Sequence, residues 1–337
     1  MILNYEKIKE ISLGAVRVLD DGEKIYFYRF TEAQEELYKN RSKDFYMKSF
    51  STSGVRLWFK TDSKNLSLDI FTEDGSSRKF FSLDVFVNGK RLGCIDNFSD
   101  IELPMGYSGI RLPLGDYSGS FSLGEGEKEV CIYFPWSVKT SLKRMVLDDG
   151  AYIEAIKPKK TLIAYGDSIT QGYDALRPSN HYVSRLCEAL DAEQINKAIG
   201  AEVFHSPLAA LADDVIPEYV TVAYGTNDWN RIKVEDMRKN CSEFYRNIRN
   251  NYPDAKIFAI TPIWRKDLDL PKDFPDFLSV DKIIRELVAD IPEVYVISGF
   301  DFVEKDEKYF ADLRLHPNDD GFAQYFDALL PQIKENI

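Results

Sequence analysis

Two clusters of small polar residues follow short apolar segments of this chain. They are Tyr165–Gly172, with the sequence YGDSITQG, and Tyr224–Asp228, with the sequence YGTND. In the first cluster, Ser168 is expected at a strand-to-helix turn, where backbone N–H groups stabilise a developing negative charge. Ser168 is therefore a candidate nucleophile for a reaction that generates an oxyanion. A helix cap is one alternative; a phosphate loop is another, but its Gly-Lys-Ser/Thr ending is missing.

A serine nucleophile needs a general base, and histidine is the usual one. The chain has three histidines, of which His316 lies just before the last helical pattern. His181 is expected to begin a helix and His205 to lie in a loop. His316 is therefore the candidate base, with a surface loop position as the alternative.

The segments around these clusters alternate between apolar strands and helical patterns. Strands are predicted at 162–165, 220–224, 257–260 and 294–297, and helices at about 181–190, 234–250, 279–290 and 321–334. The alternation predicts a parallel α/β sheet covered on both faces, with ligands at the carboxyl ends of its strands.

The preceding residues indicate short antiparallel strands. Residues 66–70 and 81–87 alternate apolar and polar side chains, and Asn88-Gly89 is a favoured hairpin turn. A charged, proline-containing segment follows at 157–160. We predict an all-β sandwich or jelly-roll domain at 1–157 and an α/β domain at 158–337.

Composition and charge argue against several classes of protein. The chain of 337 residues has 43 Lys and Arg against 55 Asp and Glu, a net charge of −12, so no nucleic-acid partner is expected. No apolar run could span a membrane and no signal peptide is recognised, which predicts a cytoplasmic protein. A chain trimmed of its signal would look the same. The four cysteines are not spaced as zinc ligands. The sequence does not indicate an oligomeric state.

The ordered motifs resemble those of the SGNH, or GDSL, hydrolase superfamily from about residue 160 to the end. The resemblance implies a flavodoxin-like parallel-sheet domain. It makes Ser168 the nucleophile, His316 the base and Asn227 the side-chain donor to the oxyanion, beside the Ser168 N–H. No metal and no cofactor are implied.

Two positions depart from the family pattern. In the block Asn196–Ala201, the usual oxyanion glycine falls on Ala201, with Gly200 just before it, and either N–H is a candidate donor. In the family, the acid lies three residues before the histidine. That position is Leu313 in this chain. Asp312, four residues before, orients His316 if the loop bulges. The alternatives are a backbone carbonyl that leaves a Ser-His dyad, or pairing of Asp312 with Arg314.

Aromatic residues near the motifs are candidates for the substrate pocket. Tyr173, Trp229 and Trp264 either line an acyl or sugar pocket or pack in the core. Arg265 is expected as a charge at the rim, and Asp167 as a support for the loop.

The order of a β-region before an SGNH domain resembles carbohydrate esterase family 2 acetylesterases. This resemblance implies a serine esterase that hydrolyses short acyl esters, in particular O-acetyl groups on oligosaccharides. The alternatives are a lipid or thioester acyl hydrolase, and a non-catalytic carbohydrate-binding protein on a hydrolase scaffold.

Overall fold

A computed structural model describes all 337 residues, which form sixteen strands in three sheets together with ten α-helices. The strands are β1 (Ser12–Leu13), β2 (Arg17–Asp20), β3 (Ile25–Tyr28), β4 (Arg56–Thr61), β5 (Asn65–Asp74), β6 (Ser82–Val87), β7 (Lys90–Asp96), β8 (Asp116–Ser122), β9 (Lys128–Tyr133), β10 (Val138–Leu147), β11 (Ile153–Ala155), β12 (Lys160–Gly166), β13 (Ala192–Asn196), β14 (Tyr219–Ala223), β15 (Lys256–Ile260) and β16 (Val294–Ile297). The helices are α1 (Tyr5–Ile11), α2 (Glu32–Arg41), α3 (Lys43–Ser49), α4 (Ser168–Gln171), α5 (Tyr182–Ala189), α6 (Ser206–Ala209), α7 (Thr226–Arg231), α8 (Val234–Asn251), α9 (Ser279–Val288) and α10 (Asp319–Lys334).

The C-terminal sheet is parallel, with the order β13-β12-β14-β15-β16. Counted within this sheet, the order is 2-1-3-4-5, as in flavodoxin-like folds, and the strand order reverses between β12 and β14. The predicted α/β class is confirmed. The sequence analysis missed β13, because its residues AEQIN are mostly not apolar.

The N-terminal part contains two antiparallel sheets. One has the order β1-β4-β9-β6-β7, with β11 paired to β4, and the other has the order β2-β3-β10-β5-β8. One hydrophobic cluster joins them, with Leu57 and Val85 from the first sheet and Ile70 from the second. The hairpin turn at Asn88-Gly89 is confirmed, since both residues have positive φ, 50° and 73°. The predicted antiparallel β-region is thus present, and the jelly-roll description stays a prediction.

Three helices were not expected: α1 precedes the first strand, and α2 and α3 lie between β3 and β4. The sequence contains a helix-start signal for α2, because Thr31 and Gln34 form a capping box there. Phe30 and Tyr38, at and near this helix, join the hydrophobic core of the parallel sheet rather than that of the β-region. The N-terminal part thus completes the hydrophobic core of the C-terminal part. The domain boundary at residue 157 stays a prediction.

None of the helices combines the length and the apolar character that crossing a membrane requires.

Candidate active site

Ser168 is the first residue of α4, directly beyond the carboxyl end of β12. Asp167 caps this helix, because its Oδ1 accepts the Ile169 N–H at 3.0 Å. The expected supporting position of Asp167 is therefore what the structure shows. Gly166 must lack a side chain here, since a Cβ would lie 2.2 Å from Thr170 Oγ1. The tight turn leaves Ser168 5% exposed, with its hydroxyl at a cavity.

The Ser168 hydroxyl meets His316 across 148 residues of sequence. Ser168 Oγ lies 2.9 Å from His316 Nε2, and His316 Nδ1 lies 2.8 Å from Asp312 Oδ2. Between the histidine and the acid, Leu313 has a φ of +57°. This left-handed residue forms the bulge that absorbs the extra position relative to the family spacing. The geometry places Asp312, not a backbone carbonyl, on the imidazole.

Asp312 is held by backbone groups as well as by the imidazole. Its Oδ1 accepts the N–H groups of Arg314, Leu315 and His316 at 3.0, 2.7 and 3.0 Å. Burial opposes ionisation, but the hydrogen bonds from His316 and the backbone outweigh it and keep the pKa of Asp312 well below its usual range. An ionised carboxylate only accepts, so His316 Nδ1 carries the proton and Nε2 accepts from Ser168.

The oxyanion donors can be told apart by their existing partners. The Gly200 N–H donates to Gln171 Oε1 at 2.8 Å and is therefore occupied. The Ala201 N–H has no acceptor within the chain, and Ala201 has a φ of +74°. Asn227 uses one Nδ2 hydrogen on Glu202 O, 3.0 Å away, which leaves the other for a ligand. The structure thus favours Ala201 over Gly200.

Sheet topology explains why these groups meet. Ser168 follows β12 and Asn227 follows β14, the two strands on either side of the point where the strand order reverses. Ala201 follows β13, which pairs with β12. Ligand sites of open α/β sheets form at this crevice.

A second carboxylate, missed by the sequence analysis, lies behind the histidine. Asp174 is fully buried, and its Oδ2 lies 3.4 Å from His316 Nδ1. Arg78 from the β-region binds it with two hydrogen bonds, 2.6 Å from Nε and 2.8 Å from Nη2. No local signal pointed to this pair, because the two residues are 96 positions apart.

The same cluster has the spacing of a metal site. Ligand atoms of Asp174, Asp312 and His316 lie within 4.8 Å of one another. Both carboxylates are already occupied, by the Arg78 guanidinium and by backbone N–H groups with the imidazole. Because Arg78 supplies positive charge here, we do not assign a metal to the cluster.

Of the three candidate aromatic residues, only Tyr173 lines the cavity above Ser168. Its ring packs against His316, with centroids 5.6 Å apart. Trp229 is 2% exposed, donates to Pro275 O and borders a neighbouring cavity instead. Trp264 packs against Phe310 in the core. The structure does not bring these two tryptophans to the nucleophile.

Arg265 is not a rim charge, and that prediction was wrong. The side chain lines the cavity but is only 1% exposed. It forms a two-point ion pair with Asp267 at 2.6 and 2.8 Å and donates to Thr226 O. A buried guanidinium needs such partners. Asp267 lies two positions along the chain, whereas Thr226 lies 39 positions away and is brought to Arg265 by the fold.

The cavity itself has a volume of about 170 Å³ and is formed by both parts of the chain. The β-region and its helices contribute Lys48, Ser77 and Arg78. Gln171 connects the parts, since its Nε2 donates to Ser51 Oγ while its Oε1 holds Gly200. Sequence analysis found the motif residues of this cavity but not its N-terminal wall.

A profile of the GDSL-like lipase/acylhydrolase family matches residues 164–324. Residues 164–324 form an SGNH hydrolase domain. This domain carries Ser168, Asn227, Asp312 and His316. A comparison with curated protein sequences finds no match.

Solved structures share the fold of the whole chain, at low sequence identity. The salicylyl-acyltransferase SsfX3 from a tetracycline biosynthetic pathway is 20% identical, with 96% of this chain and 94% of that chain covered and a TM-score of 0.77. A Bacteroides ovatus protein described as GDSL-like lipase is 19% identical, with 100% and 97% covered and a TM-score of 0.75. A family two carbohydrate esterase from Cellvibrio japonicus is 16% identical, with 98% and 96% covered and a TM-score of 0.65. The layout of a β-region followed by an SGNH domain is thus shared with family two carbohydrate esterases.

Proposed function

We propose that this protein is a serine esterase that removes short acyl groups, in particular acetyl groups, from oligosaccharides. The supporting observation is the continuous chain of hydrogen bonds from Ser168 Oγ through His316 to Asp312. Ala201, whose N–H has no acceptor within the chain, and Asn227, with one unused Nδ2 hydrogen, line the same cavity as Ser168. Nucleophile, base, orienting acid and oxyanion donors are the full set that acyl transfer requires.

The geometry supports a double-displacement mechanism. His316 Nε2 takes the hydroxyl proton while Ser168 Oγ attacks the ester carbonyl. The oxyanion accepts hydrogen bonds from the N–H groups of Ser168 and Ala201 and from the Asn227 amide. The protonated His316 gives its proton to the leaving alcohol, and water then cleaves the acyl-enzyme with His316 again as base. Asp312 stabilises the imidazolium in both steps.

The size of the cavity supports a short acyl group. Its volume of about 170 Å³ is below the range of roughly 300–1,000 Å³ that is usual for ligand pockets. Ser168, Tyr173 and Asn227 at its base are all at most 6% exposed, so an added methylene would meet packed side chains. A lipid esterase would need a long apolar groove, and this lining is mainly polar. The oligosaccharide part of the proposal rests on the shared layout with family two carbohydrate esterases.

The nucleophile is tested by labelling with a fluorophosphonate and by hydrolysis of an aryl acetate. We expect the wild-type chain to be labelled at Ser168 and to release the aryl alcohol, and Ser168→Ala to lose both activities. Ser279→Ala is the matched control, because Ser279 also begins a helix but lies outside the cavity. Labelling that persists in Ser168→Ala would contradict the proposal, and a wild-type chain that is neither labelled nor active would favour a carbohydrate-binding function.

Substrate size is tested with a series of aryl esters and with acetylated glycans. Aryl acetate should be cleaved faster than butyrate, and octanoate hardly at all, because overpacking increases with each methylene. Acetylated oligosaccharides should have a higher kcat/KM than the aryl acetate. Faster cleavage of octanoate would instead support the lipid esterase.

A further inference from the structure

The cavity above Ser168 has a cationic lining although the chain as a whole is acidic. Its lining contains no Asp or Glu but has five cationic side chains: Lys48, Arg78, Arg231, Arg265 and Arg314. The net charge of the whole chain is −12. A concave surface of one sign concentrates the electrostatic potential and attracts ligands of the opposite sign. The cavity therefore attracts anionic ligands, although the net negative charge of the whole chain repels them.

Three of these five cations are already held by carboxylates outside the lining: Lys48 by Asp44, Arg78 by Asp174 and Arg265 by Asp267. The Arg231 side chain is exposed and forms neither a hydrogen bond nor an ion pair within the chain. Arg314 is 48% exposed and only shares Asp267 with the buried Arg265, through Nη1 at 3.1 Å. Arg231 and Arg314 thus keep donors for a ligand.

The two arginines lie at the mouth of the cavity, whereas the acyl-transfer groups lie at its base. Ser168 and Asn227 are 5% and 6% exposed. Arg231 also lines a neighbouring cavity of about 520 Å³, whose other charged residues are Lys233, Lys272 and Asp273, so that cations outnumber carboxylates there. The positive surface therefore continues outward from the nucleophile. An additional donor, the buried Tyr173 hydroxyl, has no partner within the chain.

We propose that the alcohol part of the ester substrate is anionic, with a carboxylate or phosphate bound by Arg231 and Arg314 at the mouth of the cavity. This inference rests on the proposed esterase function, since it places the acyl group at Ser168 and the alcohol outside. A guanidinium matches the planar, two-point geometry of carboxylate and phosphate oxygens. The substrate class is then an acylated acidic sugar or sugar phosphate rather than a neutral glycan.

Binding without hydrolysis tests the inference independently of catalysis. Calorimetric titration of the full Ser168→Ala chain compares trigalacturonate with galactotriose, and galactose 6-phosphate with galactose. We expect the anionic member of at least one pair to bind about five- to tenfold more tightly, with the preference shrinking as salt rises from about 0.02 to about 0.2 M. The pair that shows the preference distinguishes carboxylate from phosphate.

Variants that remove one positive charge test which arginines cause the preference for the anionic ligand. Arg231→Gln and Arg314→Gln, made in the Ser168→Ala chain, should each reduce the preference several-fold. Arg246→Gln is the matched control and should leave it unchanged, because Arg246 is exposed on α8 and lines neither cavity. Equal binding of charged and neutral members, or a preference that survives loss of both arginines, would overturn the inference.

The same proteins with Ser168 restored separate the two proposals. Both proposals are supported if acetylated galacturonides or acetylated sugar phosphates have a higher kcat/KM than their neutral counterparts, and if Arg231→Gln reduces this preference for the anionic substrate. If no ester is cleaved but the anionic preference persists, the esterase proposal fails and the anion site remains. If aryl acetate is cleaved without any preference for anionic sugars, the esterase remains and the anion site is overturned.

Discussion

Asp312 contacts the His316 imidazole although its spacing departs from the family pattern. One extra residue separates it from His316 relative to the family pattern, and Leu313 takes a left-handed conformation to accommodate that residue. Such a conformation costs about 1–2 kcal/mol for a residue with a Cβ. Three backbone N–H groups on Asp312 Oδ1 and the imidazole on Oδ2 stabilise the bulge.

The contacts of Asp312 predict a strong loss of activity in Asp312→Asn. Asparagine retains an oxygen for the backbone N–H groups but places an amide N–H against His316 Nδ1, which favours the wrong tautomer. We expect kcat for an aryl acetate to fall by roughly 10²–10⁴, with the fold intact. A near-wild-type kcat would mean that the carboxylate does not orient the base and that Ser168 and His316 act as a dyad.

Asp167 is expected to make stability depend on pH. Burial raises its pKa from 3.8 to about 6, although the Ile169 N–H opposes the shift. The folded state therefore keeps a proton that the unfolded state loses, so this contribution to stability is present below about pH 4 and is lost as pH rises through 6. Relative to wild type, Asp167→Asn should gain about 1–3 kcal/mol between pH 4 and pH 7.5, measured by urea unfolding. A difference independent of pH would contradict a protonated Asp167.

Three neighbouring parallel strands, β12 to β14, end just before the segments that hold Ser168, Ala201 and Asn227. The loop after β13 is the one under conformational strain, because Ala201 has a φ of +74°. Neighbouring Gly200 must lack a Cβ, which would lie 2.4 Å from the Tyr173 hydroxyl oxygen. Both residues line the cavity above Ser168.

Ala201→Gly should relieve this strain while retaining the N–H donor. The left-handed conformation costs alanine about 1–2 kcal/mol, and the added freedom of glycine in the unfolded chain offsets part of the gain, so we expect about 0.5–1 kcal/mol of stabilisation. Hydrolysis of an aryl acetate should remain within a few-fold of wild type. Asp191→Gly is the control, since Asp191 has a φ of +51° in a turn outside the cavity. A large loss of kcat only in Ala201→Gly would show that the loop needs its alanine to hold the donor in place.

The N-terminal part of the molecule holds loops of the SGNH domain through buried hydrogen bonds. Buried Arg29 donates to the carbonyls of Asn196 and Ala198, at 2.6 and 3.1 Å, in the loop that leads to Ala201. Tyr107 and Trp136 donate to the carbonyls of residues 174 and 175 in the segment behind His316. The β-region is therefore part of the active-site wall.

Arg78→Gln tests this coupling. It leaves the buried Asp174 carboxylate without its cation, so we expect a loss of about 3 kcal/mol in unfolding free energy and a lower kcat, because Asp174 then competes with Asp312 for the His316 proton. Asp174→Asn in the same chain should restore part of the stability. Arg177→Gln is the control, since Arg177 also crosses between the parts but binds Asp96. Equal effects of Arg78→Gln and Arg177→Gln on kcat would argue against a specific role for Arg78.

Sequence patterns predicted the α/β class, the strands that carry Ser168 and Asn227, and His316 as the candidate base. These inferences depend on short-range features: apolar strands that end in polar turns, whose carboxyl ends meet at one edge of a parallel sheet. Three other features became evident only in the folded chain: Asp312 contacts the imidazole, Arg78 neutralises Asp174, and Trp264 packs in the core. Those contacts depend on loop conformation and on partners up to about a hundred residues away, which spacing along the chain does not encode.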